Sequence, residues 1–412
     1  MSSHIDIDPT LVDHSIAELA QYGAHGSTGV WRTVYSPEWA AAQDQYGAWC
    51  EAAGLHVRRD AVGNVWGRLD GSAGGKAIVS GSHIDSQRPG GQFDGALGAI
   101  AGLIAIRTLR EQFGVPKRPL EAVALCEEEG SRFPAANFWG SRAIVGAIAQ
   151  GEAETLRGYE GETIADAMRS VGLDPARIHE VVRDDIDTFI ELHIEQGPIL
   201  EQAGLPVGIV HAITGLRHYV VELRGRANHA GAFPMDLRRD PMAGAAEIIA
   251  GVIDTAASLG RPAVSTVGRM LVEPNFPAIV PEKVSFTVDA RHPDPAILSE
   301  LYGQHEALFQ AVAVRRNLEV AWNITLDHPP CLADRETVRL LEAVAQEQGV
   351  PAMTMHSGAG HDSQVMSKVA KIAMIFVQSK DGRSHTPAEF TAVDHAVAGI
   401  QVLAAALYRL AY

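Results

Sequence analysis

The sequence predicts an α/β protein: a mostly parallel sheet with a ferredoxin-like α+β unit inserted into it. Two observations predict this. Short apolar strands alternate with helices in the first two hundred residues and again near the end. Between them lies a run of six elements in the order β-α-β-β-α-β, the split pattern of ferredoxin-like units. The expected division is 1–214 and 331–412 for the α/β domain and 215–330 for the insertion.

Taken in order, residues 9–21 and 37–53 have the apolar spacing of amphipathic helices. Ala77-Ile78-Val79 is a strand running into GSHIDS. Residues 95–113 follow a helix pattern, and 120–125 form an apolar strand that ends in CEEEG. Residues 188–194 (TFIELHI) and 371–377 (KIAMIFV) are strands, and 391–411 is a final helix. In the insertion, 218–226, 265–273, 282–292 and 318–328 read as strands, and 240–260 and 294–316 as helices.

Bulk properties narrow the function. The formal charge of -16 disfavours nucleic acid and anionic membrane as partners. No stretch reads as apolar enough to span a bilayer, and the first thirty residues lack a basic start followed by an apolar core. Cys50, Cys126 and Cys331 are too few for a disulfide framework. A cytoplasmic location is expected.

CEEEG poses a physical problem. Three ionised carboxylates at the end of a buried strand repel one another and cost desolvation free energy. Other strand ends carry His83 and Asp85, then His193 and Glu195, then His385, and a GGQFDG loop carries Asp94. Ligands gather at the carboxyl ends of strands in open α/β sheets. His83, Asp94, Glu129, His193 and His385 are therefore expected to converge on a pair of borderline divalent cations such as Zn²⁺, Mn²⁺ or Co²⁺, with Asp94 as the bridge. Asp85, two residues after His83, would point to the same side and orient it. Glu128 and Glu129 would diverge in extended chain, one binding metal and the other acting as general base.

These stretches resemble the M20 metallopeptidase superfamily, and more narrowly its amidase/hydantoinase-carbamoylase branch. The likeness runs from about residue 28 to the C-terminus through DAVGNVWGRLDG, GSHIDS, GGQFDGALG, CEEEGSRF, ELHIEQGPILE, GRANHAGAFPMDLRRDP, SGAGHDS and SHTPAE. The resemblance implies a homodimeric, dinuclear metal hydrolase of linear amide or ureido bonds, most simply an N-carbamoyl-L-amino acid hydrolase. Allantoate, ureidoglycolate or N-acyl amino acids are the alternative substrates. It implies that the insertion is a dimerisation lid. It assigns one metal to His83, Asp94 and His193, the other to Asp94, Glu129 and His385, and the general base to Glu128. His229, from the lid, would stabilise the oxyanion in the partner's site; its bland alternative is an interface histidine. Gln196 would bind polar substrate groups. Arg291 would pair with the substrate carboxylate or form a surface salt bridge. The glycines Gly358 and Gly360 would permit a tight loop offering backbone N–H groups, with His361 and Asp362 as structural members.

Three positions depart from the branch. The usual P-N-x-x-N-V-I-P reads PNFPAIVP, so Ala278 replaces an asparagine; Gln378 replaces the proline of V-P-S; and Arg383 adds a charge beside His385. All leave the expected metal set intact and bear on the substrate.

Overall fold

A computed structural model describes residues 4–412. The chain forms two compact units. The first runs up to His211 and resumes at Ala333–Tyr412; the second is Ala212–Leu332.

The larger sheet has nine strands. Its centre is parallel: Lys371–Val377, Ile186–Ile194, Ala77–His83 and Leu120–Leu125 lie side by side in that order. The flanks are antiparallel. Val65–Leu69 and His56–Arg59 extend one side, and Val207–Ile213 and Cys331–Leu332 the other, with Ala352–Ser357 also paired to Val207–Ile213. The sheet is therefore mixed, where the sequence suggested mostly parallel. The four central strands are buried along almost their whole length, and their sequences are mostly apolar, with polar exceptions such as Ser80, Ser82, Glu121 and Glu191 also buried. The flanking strands are short or interrupted by polar residues, so their period is weak.

The helix Ala96–Phe113 packs against the central strands through a nearly continuous buried face, Ala96 to Ile106. Val393–Ala411 packs beside it. Helix starts follow a shared device. Asp8, Ser36 and, in the second unit, Asp240 and Asp294 each accept a backbone N–H of the first turn, with proline as the next residue.

The second unit is a five-stranded antiparallel sheet. Lys283–His292 pairs with Gly215–Arg224, which pairs with Glu319–His328. The strand expected over 265–273 is two strands, Val264–Thr266 and Met270–Glu273, both on Lys283–His292. The break falls at Val267-Gly268-Arg269, where glycine weakens an extended run. The helices Pro241–Leu259 and Pro295–Arg316 close one side of this sheet over a core of Tyr219, Val221, Phe286, Val288, Ile248 and Phe309. Among the described residues Pro241–Leu259 is long and apolar enough to cross a membrane, against the expectation that no stretch is. Its buried residues Ala245, Ile248, Val252 and Ala256 belong to the unit's packing face.

Candidate metal centre

Five side chains converge as two groups of three that share one aspartate: His83, Asp94 and His193, and Asp94, Glu129 and His385. Within each group the ligand atoms lie within 4.8 Å of one another. His83 closes the strand Ala77–His83, and His193 lies in the parallel strand Ile186–Ile194. Their Nε2 atoms stand 3.6 Å and 3.1 Å from Asp94 Oδ1. His385 Nε2 lies 3.5 Å from Asp94 Oδ2 and 3.4 Å from Glu129 Oε2.

The tautomers suit metal binding. His83 Nδ1 is 3.1 Å from the carbonyl of Asp85, and His193 Nδ1 is 2.9 Å from that of Ile194. In the neutral rings Nδ1–H donates outward, which leaves each Nε2 lone pair facing the cluster. His193 Nε2 also accepts the N–H of Gly95 at 3.2 Å. Gly95 has φ 61°, and a Cβ there would fall 2.3 Å from the His83 ring. Only glycine lets the loop pass this close.

Asp85 sits beside His83 and holds more than that ring. Its backbone carbonyl orients His83, while its carboxylate lies 3.6 Å from His83 Nδ1 and accepts the N–H of Glu128 and of Glu129, both at 3.2 Å. The glutamate segment is bent, not extended. Glu127 has φ 47°, a costly conformation for a side chain of this size. Gln196 and His385, at φ 59° and 56°, share it. The bend separates the three carboxylates. Glu127 turns inward, where Oε1 accepts the N–H of Phe133 and Oε2 has no partner. Glu128 Oε2 lies 3.7 Å from His83 Nε2. Glu129 Oε2 accepts from Gln87 Nε2 at 2.7 Å.

Electrostatics express the same crowding. Burial pushes the pKa of Glu128 well up; His83 opposes the shift and Glu129 adds to it. Burial and the Asp94 charge raise Glu129. Burial alone would raise Asp94, but His193, His83 and His385 hold it well below the usual carboxylate range. Burial opposes charging of His83, and Glu128, Asp85 and Glu129 outweigh it to raise its pKa. A buried set of acids with three imidazoles among them is the donor set of borderline divalent cations, whose charge would relieve the repulsion.

The other expected site residues fall as follows. Gln196 donates through Nε2 to Asp94 Oδ2 at 2.9 Å, and its Oε1 is buried without a partner. Gly358 and Gly360 follow the strand Ala352–Ser357, and neither has the left-handed φ that would require glycine. His361 is buried with Nε2 2.8 Å from Ser357 Oγ, and Asp362 accepts from Ser141 Oγ at 2.5 Å. Burial, then Glu191, pushes the Asp362 carboxyl up to about 7. His229 and Arg291 belong to the second unit. His229 Nδ1 accepts the N–H of Gly231 and of Ala232. Arg291 grips Asp289 with Nε and Nη2, both at 2.9 Å. Ala278 meets the His229 segment through its backbone, accepting the N–H of Ala230 at 3.0 Å.

Sequence reasoning passed over Gln87, Glu191, Ser384 and Glu389. Glu191 is fully buried and accepts from Ser82 Oγ and from the N–H and Oγ of Ser363. A charge inside TFIELHI was its signal, because a buried carboxylate requires partners. Glu389 closes the quoted SHTPAE and Gln87 follows directly on GSHIDS, and neither carries a separate mark.

Comparison with known proteins finds relatives along most of the chain. Residues 80–409 match peptidase family M20/M25/M40. The allantoate amidohydrolase of Escherichia coli is 39% identical over 402 residues, covering 97% of this chain and 98% of the relative. The N-carbamoyl-L-amino acid amidohydrolase of Geobacillus stearothermophilus is 38% identical, covering 96% and 97%. A crystal structure of a hydantoinase/carbamoylase-family amidase from Burkholderia multivorans superposes with a TM-score of 0.92 at 33% identity, covering 98% of each chain. The chain belongs to peptidase family M20/M25/M40, in its hydantoinase/carbamoylase amidase branch, and is an amidohydrolase of carbon–nitrogen bonds other than peptide bonds.

Proposed function

We propose that the chain is a dinuclear metal hydrolase of N-carbamoyl-L-amino acids, releasing the amino acid, ammonia and carbon dioxide. The observation that carries this reading is the pair of three-ligand groups sharing Asp94, with Glu128 beside them. Two ions of Zn²⁺, Mn²⁺ or Co²⁺, held by His83, Asp94 and His193 and by Asp94, Glu129 and His385, would acidify water and polarise the scissile carbonyl when bound.

The chain's own groups do the rest. Glu128 takes a proton from the attacking water and delivers it to the leaving nitrogen. His229 accepts two N–H groups at Nδ1, so in the neutral ring its proton sits on Nε2, a donor for the developing oxyanion. Arg291 offers a guanidinium to the substrate carboxylate, in a plane fixed by Asp289. Gln196 and the loop of Gly358 and Gly360 supply the remaining polar contacts.

The unit that carries His229 and Arg291 is read as a dimerisation lid, with His229 serving the partner's site. Exposed apolar side chains on this unit support a homodimer, among them Ile253, Val264, Leu271 and Phe276. The buried thiols of Cys50 and Cys126 fit a cytoplasmic protein.

Allantoate is the second reading, favoured by its 39% identical relative. Ammonia and amino-acid release by the Mn²⁺-loaded protein separates the two. Both products from N-carbamoyl-L-amino acids support the first reading. Ammonia from allantoate alone replaces it with the second. Free amino acid without ammonia, from N-acyl substrates only, refutes both.

A further inference from the structure

Glu389 has no role in the mechanism above, yet its carboxylate is among the most heavily engaged in the first unit. It is 4% exposed. Oε1 accepts the backbone N–H of Phe93 and of Asp94, both at 2.9 Å. Oε2 lies 3.1 Å from Ser384 Oγ, which itself stands 2.5 Å from Asp94 Oδ2. One buried side chain thus ties the loop of the shared ligand Asp94 to the loop that carries His385. The fit is tight: a Cβ on Gly91 would fall 2.3 Å from Glu389 Oε1.

Ser384 sharpens the point. Its hydroxyl has one proton and two carboxylate neighbours, and the shorter contact assigns that proton to Asp94. The contact with Glu389 at 3.1 Å is the longer of the two, and an N–H in place of that oxygen could donate to the Ser384 hydroxyl. An amide at this position serves both sets of contacts. Its carbonyl oxygen accepts from Phe93 and Asp94, and its N–H donates to Ser384.

We propose that Glu389 is a positioning residue that sets how tightly the centre holds its divalent ions, by locking the Asp94 and His385 loops together through hydrogen bonds, not through charge. The inference rests on the dinuclear reading above. Asp94 belongs to both ligand groups, so loosening its loop weakens both ions together.

The test is Mn²⁺ binding to the metal-stripped, full-length protein by calorimetry with chelator competition. Wild type is compared with Glu389→Gln and Glu389→Ala. Removing an outer partner of metal ligands typically costs about 10–100-fold in affinity, so Glu389→Ala is expected to weaken Mn²⁺ by that factor while Glu389→Gln stays within about threefold of wild type. Thermal unfolding of the stripped proteins, run in parallel, separates loss of affinity from loss of fold. If Glu389→Ala fails to fold, Glu389→Asp replaces it; shortened by one methylene, it keeps the charge and loses the reach, and the same loss is expected. Wild-type affinity in the truncated variant overturns the proposal. So does Glu389→Gln as weak as Glu389→Ala, which would make charge the operative property. Wild type that binds none of Mn²⁺, Zn²⁺ and Co²⁺ overturns the dinuclear reading itself and this inference with it.

Discussion

At the ends of Ala77–His83 and Ile186–Ile194, His83, Asp94 and His193 are at most 7% exposed, and their polar atoms face one another. In the second unit His229 is exposed and Arg291 half-buried, and each is satisfied by its immediate neighbours, Gly231 and Ala232 for one and Asp289 for the other. The contrast is physical. Groups withdrawn from water must be paired or neutralised collectively, so the first region is a coupled set whose members cannot be changed singly. Groups at the surface are held by local hydrogen bonds and acquire work only from a ligand or partner.

The sharpest break in that comparison is Glu128→Gln. Loss of a general base costs about 10²–10⁴ in turnover. Because Glu128 is outside both ligand groups, metal content should hold. Turnover near wild type, with metal content measured alongside, refutes the assignment. His229→Ala is the counterpart in the second unit, expected to lower kcat by about 10²–10³ with metal affinity unchanged. Mixing the two inactive variants tests whether the residues meet across subunits: partial recovery of activity is expected from heterodimers, and none if His229 acts within its own chain.

Arg291→Lys asks for a smaller effect. Lysine cannot keep both N–H contacts to Asp289 or a forked contact to a carboxylate. KM should rise by roughly tenfold with little change in kcat, as for a lost charge-assisted hydrogen bond. An unchanged KM would leave Arg291 as the salt bridge it makes with Asp289.

A further effect is on stability and is confined to the second unit. His305 is fully buried in that unit, and burial holds its imidazole down to about 4 from an ordinary 6.5. Above about pH 6.5 both folded and unfolded forms are neutral and the stability is intact. As pH falls from 6.5 towards 4, the unfolded chain binds a proton that the folded one refuses, so stability is lost. The loss at pH 5 is about 2 kcal/mol. Urea unfolding at pH 7 and pH 5 measures it. The difference between the two pH values should shrink in His305→Leu, and an equal difference in both proteins would refute the assignment.

The sequence by itself determined the ends of the central strands. Apolar runs closed by CEEEG, GSHIDS and ELHIEQG put charge where a buried strand cannot hold it alone, and the same logic drew Asp94 and His385 into one cluster. Helix starts were legible for a similar local reason, since Asp-Pro and Ser-Pro pairs set the cap and the first φ together. Tertiary structure decided what depends on long-range contact. The antiparallel flanks of the large sheet rest on short strands whose pairing no local pattern encodes. An extended reading of EEE anticipates that Glu128 and Glu129 diverge, but not the left-handed turn at Glu127 that sends its carboxylate inward. Asp85 was expected to orient His83; its carboxylate lies 3.6 Å from His83 Nδ1 and also holds the backbone of Glu128 and Glu129, a second contact that only the fold sets up. Gln87 and Glu389 were invisible for the same reason. Their partners, Glu129 and Asp94, lie 42 and 295 residues away, and only the fold brings a hydrogen bond across that distance.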